Sequence, residues 1–234
     1  EKRDESLARL QGFISSMMSS GATHVYVAVN TAEDRIGTME MAWPQNASVF
    51  AVSPWGFFVN PLNSILISAR ELLATHNLLL ASAEVRTNGE AVNVLSNLLE
   101  NNAETLVAGA ALEGHKFVPG VHQNASGREV PWNTLALYNP YPLWVTGFPL
   151  LGDGPMSEPE NKGVEELMTG TILQRIYPNL KLFLTQVPGQ TWDTSSFDGG
   201  RLASHEKKMN SKDTRPRRQL DFSNLGTGPT VIHV

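Results

Sequence analysis

The sequence predicts an α/β fold, a mostly parallel sheet with helices on both faces. Two observations carry that expectation. Short runs rich in Val, Leu and aromatic residues alternate along the chain with segments whose apolar residues recur every three or four positions. Strand and helix in strict alternation imply crossover connections, hence parallel strands covered by the connecting helices. A third observation sets the scale: at 234 residues and 41% hydrophobic content the chain can bury one sizeable core. A single domain over residues 1–234 is expected.

The chain opens on "EKRDESLARLQGFISSMMSSGA", where Leu7, Leu10, Phe13, Ile14 and Met17 fall at helical spacing and Gly21 ends the helix. "HVYVAVN" and "ASVFAV" read as strands, separated by the loop and short helix "TAEDRIGTMEMAWPQN". "LNSILISARELLAT" returns to helical spacing and "NLLLASAEV" is again a strand, with Glu84 near its polar end. "EAVNVLSNLLEN" follows as a helix and "ETLVAGAAL" as a strand. "EGHKFVPGVHQNASGREVPWN" is a long Pro-, Gly- and Asn-rich connection, and connections of that length are often functional. After the strand "TLALYN" comes the proline-broken "PYPLWVTGFPLLGDGPMSEPENKG", then the helix "VEELMTGTILQRIY" and the strand "KLFLTQV". The last predicted helix, "RLASHEKKMNSK", is polar and is expected to be closed off by Pro216.

Charge and composition exclude several classes. The net charge of -5 argues against whole-surface attraction to nucleic acid, and no nucleic-acid partner is expected. Between Arg201 and Leu220, however, seven Lys or Arg stand against Glu206 and Asp213, a local excess suited to an anionic ligand. The chain has no cysteine, which removes disulfides, thiolate metal sites and cysteine nucleophiles. No apolar run approaches the roughly 18 residues that span a bilayer, and no signal-peptide pattern opens the chain. A soluble protein without a transmembrane segment, of the cytoplasm or an organelle, is the expectation.

The order of elements resembles the GT-A glycosyltransferases of the family 2 type, a Rossmann-like fold. "VAVNTAED" (27–34) stands where that family has a strand and an acidic loop, "SPWGFFVNPLNSILISARE" (53–71) where it has its Asn- and Arg-containing segment, and "LLLASAEV" (78–85) where it has a strand ending in Asp-x-Asp. Farther on, "TLALYNPYPLWVTGFP" followed by "GVEELMTGTILQRI" is similar to the family's acceptor strand and its "G-x-E-D" helix start. The match runs in order over about residues 5–190. It implies a nucleotide-binding half over 1–110, an acceptor half over 111–200, and a basic C-terminal helix and tail over 201–234. Three departures accompany it. Ser82-Ala83-Glu84 keeps one acid of the Asp-x-Asp pair, Val29 replaces an Asp, and the strand that precedes the family's opening helix lies upstream of Glu1 or is lost.

What the resemblance implies is sugar transfer from a nucleotide-diphosphate sugar to a hydroxyl acceptor, inverting and assisted by a divalent metal, Mn or Mg. By position Glu166, with Glu165 beside it, is the catalytic base that takes the acceptor proton. Asn30, Asp34, Asn63 and Ser82 fall on nucleotide-binding positions. Glu84 falls on the metal position, where a hard cation needs only one or two protein oxygens. In the last helix His205, Lys208 and Lys212 share a face at offsets of three and seven. His205 is expected to complete the metal site, and the two lysines to neutralise the departing diphosphate. Trp55, Trp132, Trp144 and Tyr141 lie in the loops where a sugar ring would rest. Acids in a helix first turn and a basic terminal helix also have ordinary structural uses. Two other functions are compatible with the same residues: a GT-A-like interaction or structural subunit without catalysis, and a sugar-phosphate nucleotidyltransferase.

Overall fold

The computed structural model describes residues 2–30, 42–154, 163–194, 197 and 199–234. The expected Asp34 lies outside them. Ten strands are described: β1 (Val25–Asn30), β2 (Ala47–Val52), β3 (Leu78–Ala81), β4 (Val85–Arg86), β5 (Thr105–Ala110), β6 (Gly120–His122), β7 (Leu135–Tyr138), β8 (Lys181–Thr185), β9 (Thr191–Trp192) and β10 (Val231–His233). The helices are α1 (Lys2–Ser19), α2 (Val59–Ser68), α3 (Gly89–Glu100), α4 (Pro140–Thr146), α5 (Glu165–Ile176), α6 (Gly199–Asn210) and α7 (Thr214–Phe222). Among the described residues no helix is long and apolar enough to cross a membrane.

The class is α/β, but the main sheet is mixed rather than mostly parallel. Its six strands run in the order β3-β7-β5-β8-β10-β6. Of the neighbouring pairs, only β5–β8 and β8–β10 are parallel; β7 is antiparallel to both β3 and β5, and β6 is antiparallel to β10. The reason lies in β7. It enters from the long connection after β5 and inserts between β5 and β3 without a helical crossover, so no parallel pairing is imposed on it. β5 and β7 are buried at every residue, as their unbroken apolar runs require for strands covered on both faces. α3 shows why its face packs: Ala91, Leu95 and Leu99 are buried at four-residue spacing, and the Asn88 side chain caps the helix by accepting from the Ala91 N–H at 2.9 Å.

A second correction concerns the N-terminal strands. β1 and β2 were expected in the same sheet as β3 and β5; they form a separate parallel pair. A cavity of about 310 Å³ lies between β1 and β3, walled by Val25 and Tyr26 on one side and Leu78 and Leu80 on the other. α1 covers it with Phe13 and Met17, and Leu79 and Ala81 of β3 join the apolar cluster that Phe13, Ile14, Met17 and Val25 form. Side chains, not a backbone ladder, join the two sheets there.

Two further differences bear on the site. Pro216 does not end the basic helix; α6 stops at Asn210 and Pro216 sits in the first turn of α7, where its missing N–H costs nothing. The "PYPLWVT" stretch, expected to be irregular, is the helix α4, with Pro140 at its first position and the Asn139 side chain accepting from the Tyr141 N–H.

Candidate active site

A cleft of about 480 Å³ opens beyond the end of β3. Five stretches distant in sequence meet there: Ser82 after β3, Trp132-Asn133-Thr134 before β7, Glu165 and Glu166 at the start of α5, Trp192 in β9, and the basic face of α6 and the turn after it. Trp55, Phe58 and Leu62 close the remaining side.

The α5 start is fixed by α7. The Val164 N–H donates to Gln219 Oε1 at 3.1 Å, and Arg215 Nη1 donates to the Gly163 carbonyl at 3.2 Å. Gly163 admits no side chain, since a Cβ there would stand 1.9 Å from the Gly152 carbonyl oxygen. The two glutamates that follow differ sharply. Glu166 pairs with Lys212 at 3.1 Å, with side chains only 5% and 15% exposed. Glu165 accepts from Asn133 Nδ2 at 3.4 Å, and Asn133 Oδ1 accepts in turn from the Tyr138 hydroxyl at 2.7 Å. Burial, reinforced by the neighbouring charge of Glu166, pushes the Glu165 carboxyl up to about 8.

Behind the lining residues Ser82 and Arg201, Glu84 stands between two donors. The Ser82 hydroxyl donates to Oε2 and the Arg201 guanidinium donates to Oε1. Burial by itself would raise this carboxyl, but the Ser82 and Arg201 hydrogen bonds and the Arg201 charge outweigh it and hold Glu84 below the ordinary range. The β4–β9 pair sets the position: Val85 lies opposite Trp192, and the Asp193 N–H donates to the Glu84 carbonyl at 2.9 Å.

The face of α6 toward the cleft is built on aromatic contacts. The His205 ring meets Trp192 edge-on at 4.9 Å and Phe197 at 5.4 Å. Partial burial, followed by the charge of Lys208, lowers its proton affinity. Lys208 Nζ lies 5.0 Å from the centre of the Phe58 ring and Lys212 Nζ 3.9 Å from that of Trp132. The Trp192 indole N–H is buried and has no hydrogen-bond partner among the described side chains.

The sequence-derived residues therefore distribute unevenly. Glu165, Glu166, Ser82, His205, Lys208 and Lys212 all line the cleft, and Glu84 reaches it through Ser82 and Arg201. Asn30 closes β1 two residues after the lining residue Ala28, on the same face of the strand. Asn63 is not a lining residue. Its amide is spent on the Phe148 backbone, donating to the carbonyl at 2.9 Å and accepting from the N–H at 2.8 Å. The N-terminus of α2 nearby is likewise taken: Asp153 Oδ1 accepts from the Phe58 and Val59 N–H groups. Of the expected aromatics, Trp55 and Trp132 line the cleft, whereas Trp144 packs against the main core and the exposed Tyr141 donates its hydroxyl to the Ala74 carbonyl. Asn133, Trp192, Arg201 and Arg215 were not singled out as site residues from the sequence. Arg201 and Arg215 belong to the basic stretch, which was the available signal; nothing local marks Asn133 or Trp192.

For a divalent cation the donor set is short. Among the described residues no three His, Asp or Glu side chains gather, and both oxygens of Glu84 already accept from protein donors. The sequence matches no protein-family model and no characterised protein.

Proposed function

We propose that the cleft transfers a sugar from a nucleotide-diphosphate donor to a hydroxyl acceptor with inversion. The observation that carries this reading is the presence, in one cleft, of a carboxyl of raised proton affinity and a row of cationic side chains. In a single displacement the acceptor oxygen attacks the anomeric carbon as its bond to the diphosphate breaks. The acceptor proton passes to a carboxylate, and the departing diphosphate keeps the bonding electron pair.

The series of sequence motifs points to Glu166 as the base, but its carboxylate is enclosed and taken up by the ion pair with Lys212. Glu165, oriented by Asn133 and raised in proton affinity by burial, is the better candidate. Glu166 then serves to hold Lys212 over Trp132. Arg201 and Lys208 offset the charge of the leaving group. Trp55, Trp132 and Trp192 offer faces for sugar rings, and the unpartnered Trp192 N–H offers a donor for a sugar or phosphate oxygen.

The test is a titration of UDP, GDP and ADP, each with Mn²⁺ and with EDTA, read by the fluorescence of the cleft tryptophans. At least one is expected to bind. With the matching nucleotide sugars, Glu165→Gln is expected to leave binding within about twofold while lowering turnover, measured as donor hydrolysis, by roughly 10² to 10⁴. Turnover of the unaltered chain should rise with pH through about 8, as Glu165 ionises. If none of the three nucleotides binds under either condition, the transferase reading fails and the non-catalytic interaction subunit replaces it.

A further inference from the structure

Glu84 occupies the place where a metal-holding acid was expected, and what it holds is a guanidinium. Arg201 Nη2 donates to Glu84 Oε1, while the Phe197 ring lies under Arg201 Cζ at 4.0 Å. The guanidinium is thus pinned on one edge by a carboxylate and on one face by an aromatic ring. Such a planar fork, held in place, suits bidentate recognition of phosphate oxygens. It also remains reachable, since the Arg201 side chain is 47% exposed against 12% for Glu84. Lys208 and His205 follow it on α6 and line the same wall.

From this geometry, and resting on the transferase reading above, we infer that Arg201 takes the role expected of a divalent metal: it binds and neutralises the diphosphate directly, with Glu84 as the positioning residue that orients it. The two arrangements assign opposite tasks to Glu84. A metal bound to the diphosphate would need the Glu84 carboxylate as its protein anchor, so loss of the charge would abolish binding. A guanidinium needs Glu84 only for orientation and shares its donors with it, so loss of the Glu84 charge does not remove the group that meets the ligand. Lys212 does not take this task, because it is committed to Glu166 and to the Trp132 face.

Calorimetric titration of the full chain with pyrophosphate, and with UDP, GDP and ADP, in Mg²⁺ and in EDTA separates these cases. Affinity in EDTA is expected to stay within about threefold of that in Mg²⁺. Arg201→Gln is expected to weaken EDTA binding about tenfold or more, with Arg201→Lys intermediate because it restores charge without the fork. Glu84→Gln is expected to preserve or strengthen it by a few fold. Circular dichroism on each variant checks that the fold is kept; Glu84→Gln and Arg201→Gln probe the contact from opposite sides, so one of them suffices for the decision. Binding that appears only with Mg²⁺, and is lost in Glu84→Gln, overturns this inference while leaving the transferase reading intact. Absence of binding by pyrophosphate and all three nucleotides, with and without Mg²⁺, overturns both.

Discussion

Two carboxylate–cation pairs border the cleft, and they are opposites. Glu166–Lys212 is enclosed, with Lys212 lying on Trp132 and Glu166 behind it at the start of α5. Glu84–Arg201 joins a shielded acid to a half-exposed guanidinium on a helix that has no buried residue. The first pair is part of the wall. The second is a contact that an incoming anion can share or displace. Burial, rather than the identity of the charges, decides which ion pair is architecture and which is available for binding.

The sharpest way to break this comparison is to remove one partner from each pair. Lys212→Met leaves Glu166 charged and enclosed, and is expected to cost about 3–5 kcal/mol of stability in urea denaturation. Glu166→Gln on the same background should recover most of that loss, since the uncompensated charge is then gone. If Lys212→Met costs no more than an ordinary surface substitution, the enclosed pair does not support the fold.

Next in size is the response to pH, which two partly buried groups pull in opposite directions. The His115 ring is stacked on Trp132 at 3.6 Å, and its Nδ1 accepts from the Leu112 N–H at 2.9 Å, so it is held neutral; burial lowers its pKa to about 3. A depressed folded-state pKa gives stability that is present above the ordinary histidine value and is lost as pH falls, by at most about 1.4 kcal/mol per pH unit. Glu165, raised to about 8, has the reverse sign: its contribution is full in acid and disappears as pH rises through about 8. The urea midpoint measured from pH 4 to 9 should therefore fall at both ends, and Glu165→Gln should flatten the alkaline limb alone. An unchanged alkaline limb in that variant would remove the case for Glu165 as a high-affinity proton acceptor.

The smallest expected effect sharpens the comparison from the other side. Arg201→Gln should change stability by less than about 1 kcal/mol, because solvent screens a half-exposed pair. A loss similar to that of Lys212→Met would mean that Arg201 supports the fold rather than the ligand.

How far the sequence could be read depends on how local each cause is. The β-branched run of β1 and the apolar runs of β5 and β8 stand out because a buried strand writes its environment into consecutive residues. β10 does not, for three residues carry no period, and its place between β8 and β6 comes from partners far away in sequence. Pro216 misleads because the same residue that breaks a helix interior is welcome in a first turn. In the cleft, His205 and Lys208 share a face of α6 that helical spacing makes visible, Lys212 stands in the turn after that helix rather than on it, and Glu165 and Glu166 sit at a legible helix start. The hydrogen bond from Asn133 to Glu165, the hold of Gln219 and Arg215 on the α5 start, and the seizure of Glu84 by Arg201 join residues tens of positions apart. No window of sequence contains such a cause.

The gap between β1 and β3 has a mechanical consequence. A ladder of backbone hydrogen bonds locks two strands in discrete steps, because sliding by less than a full repeat breaks several bonds at once. Apolar side chains in contact impose no such steps: they resist separation but yield to small lateral shifts. Across this seam the two sheets touch through Val25, Leu79, Ala81 and the α1 residues Phe13 and Met17. The seam is therefore soft to shear and stiff to opening. Since Ala28 of β1 and Ser82 both line the cleft, a lateral shift of the N-terminal pair would move one part of the cleft wall against another without breaking a ladder of the main sheet.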